Sequence, residues 1–140
     1  MDSPAARHAR PSRWLAPALL ALGCAGCAAA WILLGVASGR QCSWMAVVAG
    51  IDAALLLRLA AMPRGPARMV VAMLGTAATI VLANWGIAAT ELGRSIGVLP
   101  WASAIKLGPD HAWTVLSLAN TSADLAWLAA GVVLAAVLSR

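Results

Sequence analysis

The sequence predicts an all-α fold: an integral membrane four-helix bundle with antiparallel, up-down topology. Three observations lead there. Of the 140 residues, 62% are hydrophobic. These residues gather into four runs, at about 14–38, 43–62, 67–90 and 112–139, each near the ~20 residues a helix needs to cross a bilayer core. The connections between the first three runs are short, which makes successive helices antiparallel neighbours. So much of the chain lies in the runs that residues 1–140 are expected to form a single polytopic membrane domain, with no separate soluble unit.

The chain opens with a basic tail, residues 1–13, carrying Arg7, Arg10 and Arg13. Three arginines in a short tail do not make a basic patch interleaved with base-reading residues, so nucleic acid is not an expected partner. They act instead as a topology signal with attraction to anionic headgroups. Arg58, Arg64, Arg68 and Arg140 fall on the same side of a four-span chain, against Arg40, Arg94 and Lys106 on the other. The positive-inside rule therefore places both termini in the cytoplasm. Rich in Ala, Arg and Gly and lacking Phe and Tyr, the composition fits a GC-rich bacterial genome, hence a bacterial inner membrane.

The first run competes with a cleaved signal peptide, whose small-residue cleavage site would be Ala28-Ala29-Ala30. The run continues through Trp31-Ile32-Leu33-Leu34 to full spanning length, which favours an uncleaved helix. Gly39-Arg40-Gln41-Cys42 makes a tight outer turn to the second run. Met62-Pro63-Arg64-Gly65-Pro66 stops that run, because proline lacks an amide donor and biases its predecessor away from helix. The third run leads into a longer outer loop, residues 91–111. There Pro100-Trp101 is expected to start a short interfacial helix reaching Lys106, and Asp110 to cap the helix of the fourth run. Loops of this length are often functional, so this is the first surface at which to seek binding.

The fourth run has two readings. One continuous helix over 112–139 would be about 42 Å long, over-long unless tilted. Alternatively the span starts near Asn120-Thr121-Ser122, where Thr121-Ser122-Ala123-Asp124 matches a capping box with Asp in place of Glu. The continuous helix is favoured, and the choice sets how deep Asp124 lies.

Polar residues within the runs are the candidates for function. Asp52 lies about ten residues into the second run, roughly 15 Å deep. A central Asp costs about 2.5–3.5 kcal/mol on the insertion scale, and the Leu, Ile and Val residues from Val47 to Leu59 only roughly offset it. Asp52 must therefore face its neighbours rather than lipid. With a continuous fourth helix, Asp124 reaches a similar depth, and Asn84 in the third helix supplies an amide nearby. Together Asp52, Asn84 and Asp124 form a candidate path for a proton, cation or small solute, set against a purely structural role in interhelical packing. At the outer face, Glu91, His111, Trp101 and Trp113 are the candidate binding residues. A lone His is weak metal chemistry, and the seven tryptophans are read first as interfacial anchors, Trp31 and Trp85 lying just below the outer interface.

Cys24 and Cys27, one turn apart in the first helix, are candidate ligands for soft metals such as Hg(II) or Cu(I). Their spacing is too wide for an undistorted disulfide. Gly23-Cys24-Ala25-Gly26-Cys27, in the first of four helices in a chain of this length, resembles the mercuric-ion uptake membrane proteins. The resemblance covers these five residues plus length and topology, and it implies metal transfer through the paired thiols. The chain departs from that pattern at Ala28-Ala29-Ala30 and lacks a second, cytoplasmic Cys pair, so it is not assigned to that family. Small-residue packing through Gly23/Cys27 and Gly26/Ala30 explains the same residues.

No nucleophile–base arrangement, nucleotide motif or cofactor motif stands out. The expected function is therefore a non-enzymatic component or accessory subunit of a membrane assembly, with no cofactor. Its expected partners are the lipid bilayer and a membrane protein or a second copy of the chain. The alternatives are the Asp52/Asn84/Asp124 carrier and soft-metal handling by Cys24 and Cys27.

Overall fold

A computed structural model describes residues 14–140, apart from the side chain of residue 112. The basic tail expected over residues 1–13 lies outside the described residues. Six helices occur in chain order: α1 (Leu15–Ser38), α2 (Met45–Leu59), α3 (Pro66–Ile96), α4 (Pro100–Lys106), α5 (Pro109–Ala119) and α6 (Ser122–Leu138). No strand is present among the described residues. By length and composition, α1 and α3 can each cross a membrane, and α5 with α6 adds a third crossing if the bent pair is taken as one span.

The helix ends obey local chemistry. Gly39 closes α1 and Gly97 closes α3, both in the left-handed conformation that glycine adopts without a Cβ penalty. Pro66, Pro100 and Pro109 start α3, α4 and α5 from the first turn, where a missing N–H costs nothing. α4 begins at the Pro100-Trp101 step expected to start a short helix.

Three sequence expectations fail here. The third helix does not stop near residue 90 but continues to Ile96, shortening the loop that precedes α4. The fourth run is not continuous over 112–139. It breaks at Asn120 and bends by 107° between α5 and α6, because Thr121 leaves helical geometry to cap α6 with its side chain. Asp110 is likewise not a cap. Gly108 holds that position and Asp110 sits in the first turn of α5, where its charge still meets the positive end of the helix.

The packing is built from small residues. α2 and α6 share the most extensive contact. Ala46, Gly50 and Ala54 recur every four residues along α2, as do Gly131, Ala135 and Ser139 from α6 into its C-cap, and all six are buried. A Cβ placed on Gly131 would press on the Ala46 carbonyl and lie 2.9 Å from the Ala46 Cβ. The two helices run in the same direction, for Ser43 and Asp124 meet at their starts and Arg58 meets Leu138 at their ends. α1 and α3 form a second parallel seam, with Leu20 and Cys24 near Gly75 at one end and Gly35 on Ile87 at the other. α2 and α3 touch each other and both flanking helices, whereas α1 and α6 do not meet. The layout is a rhomb with α2 and α3 across its short diagonal.

Large apolar side chains point outward: Leu22, Leu33, Leu59, Leu74 and Val133 are all exposed. Buried positions are mostly Ala, Gly, Ser and Thr, with Leu20, Trp31, Met45, Leu57, Ile87 and Leu107 the large apolar exceptions among the described residues. A water-soluble core has the reverse arrangement. This one suits helices that meet by close backbone approach while lipid covers their leucines.

At the end opposite Asp124, Arg68 is buried and gathers three carbonyls. Its Nε donates to Ser139 O at 2.8 Å, Nη2 to Arg140 O at 2.9 Å and Nη1 to Met62 O at 3.3 Å. Arg58 Nη2 donates to Leu138 O at 2.7 Å. Two guanidiniums thus satisfy carbonyls that the end of α6 leaves without partners, and oppose its negative dipole end.

Five variants test this packing by reversible unfolding in mixed micelles. Gly131→Leu is expected to lower the unfolding free energy by about 2–3 kcal/mol, because backbone cannot yield to the new side chain. Gly26→Ala, with open space around it, is expected to raise it by about 0.5–1 kcal/mol. Arg68→Met is expected to cost about 2–3 kcal/mol and Arg58→Gln less than about 1 kcal/mol, since only the first guanidinium is buried. Arg68→Lys should recover less than half of the Arg68→Met loss, because one ammonium cannot span three carbonyls.

Candidate functional site

The polar chemistry concentrates at the end where α2 and α6 begin. Residues 39–44, the connection from α1 to α2, act as a clasp there. Trp31 is fully buried in α1, and its Nε1 donates to Gln41 O at 2.9 Å. The Gln41 side chain donates to Asn84 Oδ1 on α3, and Asn84 Nδ2 donates to Ile80 O at 2.8 Å. Ser43 Oγ donates to Asp124 Oδ1 on α6 at 2.7 Å. One short loop therefore joins α1, α3 and α6.

Asp124 sits in a complete capping box. Its Oδ2 accepts from Thr121 N at 2.9 Å and Thr121 Oγ1 at 2.7 Å, and its own N–H donates to Thr121 Oγ1 at 3.3 Å. The second reading of the fourth run, with Asp124 as a cap, is the one that fits. Asp124 consequently lies beside Ser43, nine residues before Asp52, or about 13 Å along the α2 direction. The two acids do not share a depth.

Asp52 faces α1 instead. It is half-buried, and its Oδ2 lies 3.2 Å from the point where a Gly23 Cβ would stand. Cys27 lies within its electrostatic reach, as it does of Cys24. Cys24 is buried and its Sγ donates to Gly75 O at 3.3 Å, whereas Cys27 is only half-buried. All three cysteines are free thiols. No group of three or more His, Cys, Asp or Glu residues suited to a metal ion occurs among the described residues.

Three cavities lie at this end of the molecule. One of about 290 Å3 takes in Arg40, Gln41, Asn84 and Glu91 between α1, α3 and α5. A second, of about 490 Å3, lies between α3, α5 and α6 and is lined by Asn84, Trp85, Trp113 and Asn120. A third, of about 720 Å3, opens beside Arg40, Cys42, Trp44, Asp124 and Trp127. Glu91 also pairs with Arg94 at 3.4 Å, an exposed i,i+3 contact of little energetic weight. Arg40 is exposed, and its backbone N–H donates to Gly35 O at 3.2 Å while its guanidinium makes no hydrogen bond or ion pair among the described residues.

The structure thus brings Asn84, Asp124, Glu91 and Trp113 around one end, and leaves Asp52, Cys24 and Cys27 in a separate group between α1 and α2. Trp101 on α4 and His111 on α5 are exposed and line none of the three cavities described. Trp31 is a structural core residue rather than an interfacial anchor, because its indole N–H has a backbone partner inside the fold. Gln41 and Ser43 are the residues that sequence reasoning missed. They bond across 43 and 81 positions, and only their polarity beside an apolar run marks them. Chemically the arrangement offers hydrogen bonding, charge and aromatic faces, which are the means of recognition. No known protein family, curated protein or solved structure matches the chain.

Breaking the clasp gives a graded outcome. Asp124→Ala is expected to lower the unfolding free energy by about 1–2 kcal/mol, removing the cap and the Ser43 contact together. Ser43→Ala should cost about 1 kcal/mol, and the double variant little more than Asp124→Ala alone, as measured in a double-mutant cycle.

Proposed function

We propose that the chain is a four-span, up-down helical protein of a bacterial inner membrane, with both termini cytoplasmic. In this reading it serves as a non-enzymatic component of a larger membrane assembly and docks through α4 and α5. Lipid suffices to cover the leucines of the longer helices, but α4 and α5 lie outside the close-packed seams. There Trp101 is 63% exposed, Ile105 85%, Trp113 75% and Leu118 82%. That exposure on two short helices carries the proposal, because large apolar side chains left uncovered outside the close-packed seams are candidates for an interaction site.

The four-span arrangement is supported by the tethers that hold α2 and α6 side by side. Both ends are tied, by Ser43–Asp124 and by Arg58–Leu138, so these shorter helices traverse the same depth between α3 and the surrounding lipid. Arg58, Arg64 and Arg68 cluster at one end, in keeping with a cytoplasmic side. The carrier alternative draws on Asp52, Asn84 and Asp124 as one path, yet each is held by different neighbours. The soft-metal alternative rests on Cys24 and Cys27, and Cys24 already spends its thiol hydrogen on Gly75 O. The partner is a membrane protein or a second copy of the chain.

A photoreactive residue at Trp101, Ile105 or Leu118 tests the docking reading in cells. A discrete protein adduct at two of these positions, absent with the same probe at Leu59 on the opposite end, is the expected result. Lipid adducts alone would overturn it.

A further inference from the structure

The cavity of about 720 Å3 beside the clasp is lined by two charged side chains, Arg40 and Asp124. The two charges do not meet, for the only ion pair among the described residues joins Arg94 to Glu91. The Arg40 guanidinium is exposed and none of its N–H donors is engaged among the described residues. Asp124 is half-buried. Its Oδ1 accepts from Ser43 and its Oδ2 from Thr121 N and Oγ1. A carboxylate has about four acceptor positions, so one remains open on Oδ1. The hydroxyls of Ser38, Ser43 and Thr121 each donate within the fold, which concentrates the free donors on Arg40.

Two indoles complete the lining, Trp44 just before α2 and Trp127 on α6, and both are exposed. Indole faces attract cations more strongly than other aromatic rings do. The occupant these groups select is dipolar. Its anion suits the guanidinium, which grips phosphate through parallel N–H donors, and its cation suits the carboxylate and the indoles. An apolar face leads away from the same cavity. Trp44, Val48, Ile51 and Leu55 are exposed at helical spacing, over about 16 Å of α2. A small free zwitterion leaves that face unused, whereas a lipid lays its acyl chains along it.

We propose that this cavity is a binding site for the phosphoethanolamine headgroup of a membrane lipid. Arg40 holds the phosphate, the ammonium donates to Asp124 Oδ1 beside Trp44 and Trp127, and the acyl chains follow Val48, Ile51 and Leu55. This site rests on the four-span reading, through the embedding of α2 and α6 in the bilayer, and shares none of the docking residues named above.

The test is native mass spectrometry of the full chain in mild detergent, titrated with dioleoyl phosphatidylethanolamine, phosphatidylcholine or phosphatidylglycerol, or with free O-phosphoethanolamine. The choline headgroup keeps phosphate and cation but has no N–H to donate, and the glycerol headgroup has no cation. The first phosphatidylethanolamine is expected to bind about tenfold tighter than either other lipid. Arg40→Gln should weaken phosphatidylethanolamine and phosphatidylcholine alike by about tenfold, and Asp124→Asn should cut the difference between them to about twofold or less. Equal constants for these two lipids on the unaltered chain would overturn the proposal, as would phosphatidylethanolamine binding unmoved by Arg40→Gln. Free O-phosphoethanolamine binding as tightly as the whole lipid would overturn the assignment to a lipid. Should Asp124→Asn fail to fold, the probe comparison and Arg40→Gln, at an exposed side chain, still decide. Embedding of α2 is read independently, from protection of Leu55→Cys in cells against a membrane-impermeant maleimide, relative to the same chain without it. A protected cysteine with no headgroup preference overturns this site alone, and a labelled one overturns the four-span reading and the site with it.

Discussion

The close approach of the α2 and α6 backbones at Gly50 and Gly131 sets the rest of this structure. Lipid removes most of the hydrophobic drive between helices, so association depends on contact area at short range, and side chains larger than Ala keep backbones apart. With Ala46 and Gly50 against Gly131, the seam leaves no freedom to slide. That register brings the start of α6 beside residues 39–44, where Ser43 meets Asp124, and its end beside Arg58 and Arg68. The polar locks at both ends therefore result from a contact that involves no polar side chain. They then specify it further, since a shift by one helical turn would strand Asp124 and the buried Arg68 guanidinium together.

What the sequence made legible, and what it did not, divides along the same line. Features set within a few residues were readable: the stops at Gly39 and Pro63, the short helix from Pro100, and the Thr121–Asp124 capping box. Features set across the bundle were not. Arg68 reads in sequence as one more cytoplasmic charge, yet it is buried against carbonyls some seventy positions away. Trp31 reads as an interfacial anchor because nothing local announces that Gln41 O will receive its indole N–H. The fourth run was the ambiguous case. Hydropathy runs straight through Asn120, whereas the cap chemistry at Thr121 ends one helix and begins another, and the cap prevailed. Preferring periodicity over the cap is what misplaced Asp124 at the depth of Asp52.

That misplacement also changes the meaning of the polar residues. Pooled at one depth, Asp52, Asn84 and Asp124 would make a path. Held separately, Asn84 and Asp124 each fasten one helix to the 39–44 clasp, and Asp52 stands alone opposite Gly23. A buried polar group that is fully hydrogen-bonded specifies geometry at modest net cost, while an unmatched one is expensive. Asn84 and Asn120 show the two cases side by side, with the same anchoring to the preceding turn and different fates for Oδ1.

The element least explained by internal packing is α5. None of its described residues is buried, and it contacts α3 only lightly. Its position is fixed chiefly at its ends, by Pro109 in its first turn and by the break at Asn120. A helix of eleven residues is too short to persist in water on propensity alone, so its stability has to come from the surfaces it rests on. Beneath and beside it lie cavities of about 290 and 490 Å3, the larger one lined by Trp113, and its outer face carries Leu118. Whatever covers that face or fills the space below therefore contributes directly to keeping α5 folded. Order in this helix therefore follows from the surfaces around it rather than from its own sequence.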